Sequence, residues 1–400
     1  MGDADPGIFE SLPHRFRGIP HPSSAGRYRV VAGGLARDVV VSSAGCSVEA
    51  PKGRPCVTIA ADVQTWRRIH AGQVSGIEAF LSGRLTVTGS IEGALRFEPM
   101  FDRPRNGALR YSIERVRCDR CEVSALVAGD PDAPEVLLLH GLGSSKASWL
   151  PVVPPLAGSH RVVAVDLPGF GASSKPRAPY DAPWFARAMV EVLDYFGIQT
   201  AVVAGNSMGG RVAMEMGLTA SARTAGVVCF APAAAFARRP ALRLVRLARP
   251  EGALLAAYLS GNRARGTVRR LFADPDRVPE TWIEAAVGDF LSTWKEPGAR
   301  MAFAAAARNI YLDEPFGERG FWTRICSLEV PARFVYGAED PLISRRFAAQ
   351  IERAVPAATV EVWPDTGHVP QVEHPLRSAR VIEEMAAPAR RRTGRDRAAR

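Results

Sequence analysis

The sequence predicts an α/β fold, a mostly parallel sheet flanked by helices, preceded by a small α+β domain. Three observations carry this reading. From about residue 134, short apolar runs alternate with helical patterns at steady intervals, as strand–helix–strand units require. Those runs are apolar on both sides of the alternation, which suits strands buried on both faces. The texture changes near residues 99–134, and before it lie shorter alternating segments broken by glycines. A chain of 400 residues with 47% hydrophobic content can bury a large core. At roughly 100–200 residues per domain it has room for two or three domains.

Taken in order, residues 1–26 are polar and are expected to be a flexible segment. Residues 27–102 form the first domain. Val57–Ala60 reads as a strand, Asp62 can cap a helix running to His70, and Gly72 ends it. Ile77–Leu81 gives a second short helix, Gly83–Gly89 alternates as a strand, and Ile91–Phe97 is helical. Residues 103–111 are expected to link this domain to a second one over 112–386. Its strands are Val136–Leu139, Val162–Val165, Ala201–Ala204, Val227–Phe230, Arg333–Tyr336 and Val360–Trp363. Helices fall at Trp184–Phe196, which ends at Gly197, and at Met208–Leu218. From about 233 to 321 no buried strand is evident, while Pro240–Arg249 and Glu280–Leu291 are helix-like. The stretch is too long for a structureless loop, so it reads as a helical lid over the sheet.

The formal net charge of +10 is uneven. Arg390–Arg400 holds six arginines and one aspartate, so residues 387–400 read as a basic, disordered tail. A solvated terminus is the simpler reading; the alternative is peripheral contact with an anionic membrane surface. No nucleic-acid motif is present, and no run reaches the ~20 apolar residues of a membrane span. Met1–Pro13 lacks the basic start and apolar stretch of a secretory signal, so the expected location is cytoplasmic, with membrane contact limited to the tail. The six cysteines are scattered and read as reduced thiols. Cys118 and Cys121 form a lone C-x-x-C without the further ligands of a zinc site.

The strongest chemical signal is Gly205-Asn206-Ser207-Met208-Gly209-Gly210, placed after an apolar strand and opening a helix. A sharp strand-to-helix turn exposes its central side chain, and small flanking residues let neighbouring backbone pass. Ser207 is the candidate nucleophile. A serine needs a base, and only His368 and His374 follow it. His368 lies in a loop after the last strand, whereas His374 precedes a proline where a helix would begin. The base needs a carboxylate. Asp340 follows the penultimate strand, Glu339 is its neighbouring rival, and Asp365 shares the histidine's own loop. Oxyanion donors should be the backbone amides of Met208 and of Leu142, with Gly143 next. His140 at the strand end reads as a loop-shaping residue.

His140-Gly141, Asp166-Leu167-Pro168-Gly169-Phe170-Gly171, Gly205-x-Ser207-x-Gly209, Gly337-x-x-Asp340 and Gly367-His368 together resemble the α/β-hydrolase superfamily over roughly 112–386. The resemblance implies an α/β-hydrolase fold with a helical lid, and a structural Asp166 that ties down the loop toward Gly171. It implies a serine hydrolase with the triad Ser207, Asp340 and His368. Epoxide hydrolases and haloalkane dehalogenases resemble the chain but place aspartate where Ser207 stands. The elbow string also resembles that of carbon–carbon hydrolases acting on ring-fission products, which carry tryptophan just after the histidine; here Val369 follows His368. Residues 27–102, with Ala79-Phe80-Leu81-Ser82-Gly83 before the last strand, resemble the sterol-carrier-protein lipid-binding domain.

The expected function is therefore a carboxylesterase-like hydrolysis of an apolar, lipid-like ester through an acyl-enzyme. The alternatives are carbon–carbon hydrolysis of aromatic or steroid ring-fission products, and a lipid-binding or transfer protein whose hydrolase domain is idle. No cofactor or metal is implied.

Overall fold

The structure, a computed structural model, describes residues 7–234 and 261–386, with the side chains of 292–295 outside that description. The expected helix Pro240–Arg249 and the tail at 387–400 lie outside the described residues.

The first domain is a five-stranded sheet. Its strands are β1 (Gly26–Ala32), β2 (Leu35–Ser42), β3 (Gly45–Glu49), β4 (Val57–Ala61) and β5 (Leu85–Gly89), ordered β3-β2-β1-β4-β5. Only β1 and β4 run parallel. Three short helices cover it, and each start is capped by a side chain. Asp62 accepts from the Thr65 amide at 2.6 Å before the Val63–His70 helix. Ser75 and Glu78 exchange bonds in a capping box before Gly76–Leu81, and Ser90 accepts from Gly93 before Ile91–Phe97. The expected flexible segment needs correction from residue 7 onward. Two helical turns, Gly7–Glu10 and Leu12–Arg15, bury Ile8, Phe9 and Leu12 in the core of this domain. Three apolar residues at helical spacing are enough to dock it.

The second sheet has eight strands in the order β13-β12-β11-β10-β8-β9-β7-β6. They are β6 (Tyr111–Arg117), β7 (Glu122–Ala128), β8 (Glu135–Leu139), β9 (Arg161–Asp166), β10 (Ala201–Asn206), β11 (Thr224–Phe230), β12 (Ala332–Gly337) and β13 (Thr359–Trp363). From β9 through β13 the pairs are parallel; β6 and β7 form an antiparallel hairpin that joins β9 at the edge. Cys118 and Cys121 sit at the turn of that hairpin, the Cys118 amide donating to the Cys121 carbonyl. Helices Ala182–Tyr195 and Met208–Thr219 pack on the sheet through Phe185, Met189, Val212 and Met216. Between β11 and β12 the described residues form helices Gly261–Arg269, Glu280–Lys295 and Pro297–Ala306, which ends in a π-turn at Ala307–Tyr311.

The two sheets share one apolar cluster. It runs from Ile8, Val57 and Leu95 in the first domain to Trp149, Leu150, Ala285 and Ile382 in the second. A buried cation spans the same boundary. Lys146 Nζ pairs with Glu92 of the first domain, with Asp166 at the end of β9 at 2.7 Å, and with the Ser124 hydroxyl at 3.1 Å. Burial pushes the Lys146 ammonium down, but Asp166 and Glu92 more than offset this and leave it above the ordinary lysine value.

Candidate active site

Ser207 lies between the end of β10 and the first turn of the Met208–Thr219 helix, with φ 53° and ψ −112°. A left-handed backbone at a non-glycine residue costs about 1–3 kcal/mol and persists only where its surroundings over-determine it. Here the Ser207 amide donates to Phe230, while its carbonyl accepts from Ala233 and Arg211. The flanking glycines are dictated by close approach. A Cβ on Gly205 would stand 2.2 Å from the Gly209 carbonyl, and one on Gly209 would stand 2.2 Å from the Leu139 oxygen.

His368 and Asp340 reach this point from two further loops. His368 Nδ1 donates to Asp340 Oδ2 at 2.8 Å, and the Asp340 side chain is fully buried. The other Asp340 oxygen accepts from the Leu342 and Ile343 amides at 2.7 and 2.9 Å. With Nδ1 committed to the carboxylate, Nε2 is left as the acceptor of the imidazole. The histidine loop is braced on three sides. Asn206 Nδ2 donates to the His368 carbonyl at 2.9 Å, Glu339 accepts from the Thr366 amide, and Glu373 accepts from Gly367 and Ala273. Glu339, the rival acid, thus holds loop backbone rather than the imidazole. His374 contacts the Asp365 carbonyl, away from Ser207.

The candidate oxyanion loop is shaped by His140. Its Nε2 accepts from the Leu167 amide at 2.9 Å, so Nδ1 carries the proton and donates to the Gly141 carbonyl at 2.7 Å. Burial lowers the pKa of this imidazole, which keeps it neutral. Leu142 and Gly143 line the same cavity as Ser207, and Met208 opens its helix, so its amide has no partner four residues back. Asp166 takes the Lys146 amide at 2.7 Å and the Ala172 amide at 2.8 Å. Burial pushes its carboxyl up, but Lys146 and His140 hold it below the ordinary range.

Ser207, His368, Leu142 and Gly143 open on one cavity of about 620 Å³, roofed by helices Gly261–Arg269 and Glu280–Lys295 and the Ala307–Tyr311 turn. Its size is that of an ordinary small-molecule site. Most of its wall is apolar, with Phe272, Ala286, Phe290 and Phe303 prominent. Two polar residues there have no motif to announce them. Asp289 is pushed up to about 7 by burial, although its hydrogen bond to Ser145 acts the other way. Tyr311 shares a hydrogen bond with the Ser207 hydroxyl at 2.8 Å. The π-turn carries Tyr311 inward, and just beyond it Asp313 is anchored to the buried Arg211 of the nucleophile's own helix at 2.7 Å.

Burial pushes the Tyr311 phenol up to about 12, so it stays protonated at neutral pH and cannot take a proton from serine. Tyr311→Phe is therefore expected to change the rate of any reaction begun by Ser207 by no more than about fivefold, the worth of one neutral hydrogen bond. A loss of a thousandfold in stopped assays would instead make this phenol part of the proton path.

A largely parallel eight-stranded sheet, a left-handed serine at a strand–helix turn and helices over the strand ends define the α/β-hydrolase fold. The chain belongs to the alpha/beta hydrolase family, whose profile matches residues 136–381. Residues 25–102 match the SCP-2 sterol transfer family. Over 241 residues the chain is 32% identical to the dihydrolipoyllysine-residue acetyltransferase component of the acetoin cleaving system of Cupriavidus necator, covering 60% of each chain. It thus spans less than two thirds of that relative. It is 26% identical to the pimeloyl-[acyl-carrier protein] methyl ester esterase of Aeromonas hydrophila, covering 63% of this chain and 95% of that one. Among solved structures it resembles 2-hydroxy-6-oxo-6-phenylhexa-2,4-dienoate hydrolase from Rhodococcus sp. strain RHA1, with a TM-score of 0.58 and 24% identity. That likeness covers 69% of this chain and 99% of the other.

Proposed function

We propose that this protein hydrolyses a carboxylic ester with an apolar acyl group, through an acyl-enzyme on Ser207. The observation that carries the proposal is a strained serine sharing one largely apolar cavity with the bonded His368–Asp340 pair. In the reaction, the Ser207 hydroxyl exchanges Tyr311 for His368 Nε2 and gives its proton to that nitrogen as the oxygen attacks the ester carbon. Asp340 stabilises the imidazolium. The amides of Leu142 and Met208 hold the oxyanion, with the positive end of the helix dipole behind Met208. The intermediate collapses, the carbon–oxygen bond to the alcohol breaks, and His368 Nε2 protonates the departing oxygen. Water, deprotonated by His368, then releases the acid.

The apolar wall supports an acyl rather than a polar substrate, as does the match of the first domain to a sterol transfer family. The ester relative fits the same chemistry. For carbon–carbon cleavage, the residue that follows His368 is Val369 rather than a tryptophan, and the tryptophan of the cavity wall, Trp282, comes instead from the helix Glu280–Lys295. A fluorophosphonate probe tests the proposal against an idle hydrolase domain. Labelling of the intact protein is expected on Ser207 alone, with loss of turnover of a short nitrophenyl ester. A protein that stays unlabelled would overturn it.

A further inference from the structure

The first domain holds a second cavity, separate in extent from the catalytic one but not in its walls. It measures about 60 Å³ and lies between the sheet and the helices of that domain, lined by Ile59, Val87, Ala94 and Leu95 among others. Phe80, Ile91 and Leu150 line both cavities. These three side chains are common to the wall of the slot in the first domain and to that of the chamber that contains Ser207. Phe80 and Ile91 belong to the first domain and Leu150 to the second, and all three are buried members or neighbours of one core. The polar residues of the slot include Glu98 and Arg103, which pair with each other.

Resting on the ester reading above, we infer that the slot in the first domain is the distal subsite of the active site. It takes the far end of a linear acyl chain whose carbonyl lies at Ser207. The first domain would then act on each turnover as part of the substrate pocket, not as a carrier that loads and releases its own ligand. The size of the slot selects the class of chain. It has room for roughly four to six waters, at ~10–15 Å³ of probe space each. That suits a file of methylenes and is too little for a fused ring system. Phe80, Ile91 and Leu150 at the junction are aromatic or branched side chains, which can rotate aside for a thin chain.

Each methylene moved from water to an apolar wall is worth about fourfold in kcat/KM. The slot should therefore extend the rise of kcat/KM with chain length beyond what the catalytic chamber alone supports. Ala94 lines the slot and not the chamber, so Ala94→Leu and Ala94→Phe fill the slot without touching the catalytic residues. Nitrophenyl esters of four, eight, twelve and sixteen carbons should be compared in the full chain. The butyrate ester is expected to keep its kcat/KM within about twofold, while the twelve- and sixteen-carbon esters lose roughly tenfold or more. An equal loss at every length, or no loss at any, would overturn the subsite.

A second arm does not need turnover. The Ser207→Ala protein should bind trans-parinaric acid, and Ala94→Leu in that background should weaken binding roughly tenfold, about two methylenes' worth. Unchanged binding, or displacement of the probe by cholesterol as readily as by palmitate, overturns the inference. If the wild-type chain cleaves no ester while the binding result holds, it is the ester chemistry that fails and the slot that stands.

Discussion

Ser207→Ala is expected to lower kcat for nitrophenyl ester hydrolysis by about 10⁶, down to the residue of catalysis that binding and the proposed oxyanion amides provide. The expectation follows from how completely the local fold is spent on that side chain. The backbone is held left-handed at Ser207 by its amide bond to the Phe230 carbonyl and by the Ala233 and Arg211 amides that donate to its own carbonyl, and alanine leaves those bonds intact. The protein should therefore remain folded, with unchanged circular dichroism and melting temperature, while turnover disappears. Asp340→Asn is the informative companion. An amide in place of the carboxylate can present its N–H to His368 and turn the proton of the imidazole toward Ser207, which costs about 10⁴. Rates measured in freshly purified protein, with active-site titration to exclude a trace contaminant, decide both. A Ser207→Ala protein with a tenth of wild-type kcat would remove Ser207 from the chemistry.

Lys146→Met destabilises the whole chain by about 3–5 kcal/mol, because it strands the fully buried Asp166 carboxylate without its cation. For a domain of this size the melting temperature should drop by roughly 10 °C. The pH dependence follows from the sign of the shift. Asp166 is held below the ordinary carboxylate range in the folded protein, so its ionised form contributes stability above that range. The contribution is lost as pH falls through the lowered folded value. With Lys146 gone, burial raises the Asp166 carboxyl instead, and acid unfolding should begin at higher pH. Thermal melts of both proteins between pH 3 and 8 measure this. A variant that melts within 2 °C of wild type at every pH would show that the ion pair carries no net stability.

Lys146 also marks where sequence reading ends. The central strands were legible because β8 to β12 are buried on both faces and read as nearly unbroken apolar runs, such as Glu135–Leu139 and Ala201–Asn206. The hairpin β6–β7 was not, since Tyr111–Arg117 alternates with charges that pair across the sheet, as Arg115 does with Glu122. Strands β1 to β3 carry Asp38, buried between Arg27 and Arg29, in a stretch whose charges imitate a surface. The candidate nucleophile, base and acid could be proposed because each sits in a short motif tied to a strand end. Asn206, Asp289 and Tyr311 could not. Their positions depend on which loop lies across the cavity, and that is decided by contacts such as Arg211 with Asp313, 102 residues apart in the chain. The N-terminal turns failed for a related reason: Ile8, Phe9 and Leu12 form too short a stripe to stand out from a polar leader.

The common apolar cluster of the two sheets bears on whether the two halves can be separated. Trp149 and Leu150, wholly sheltered here, share that cluster with the first domain. A hydrolase half expressed without residues 1–110 would present Leu150 and Ala285 to water, together with a Lys146–Asp166 pair lacking Glu92. The seam is formed by both domains together, so swapping in a first domain from another protein should yield inclusion bodies rather than a hybrid enzyme.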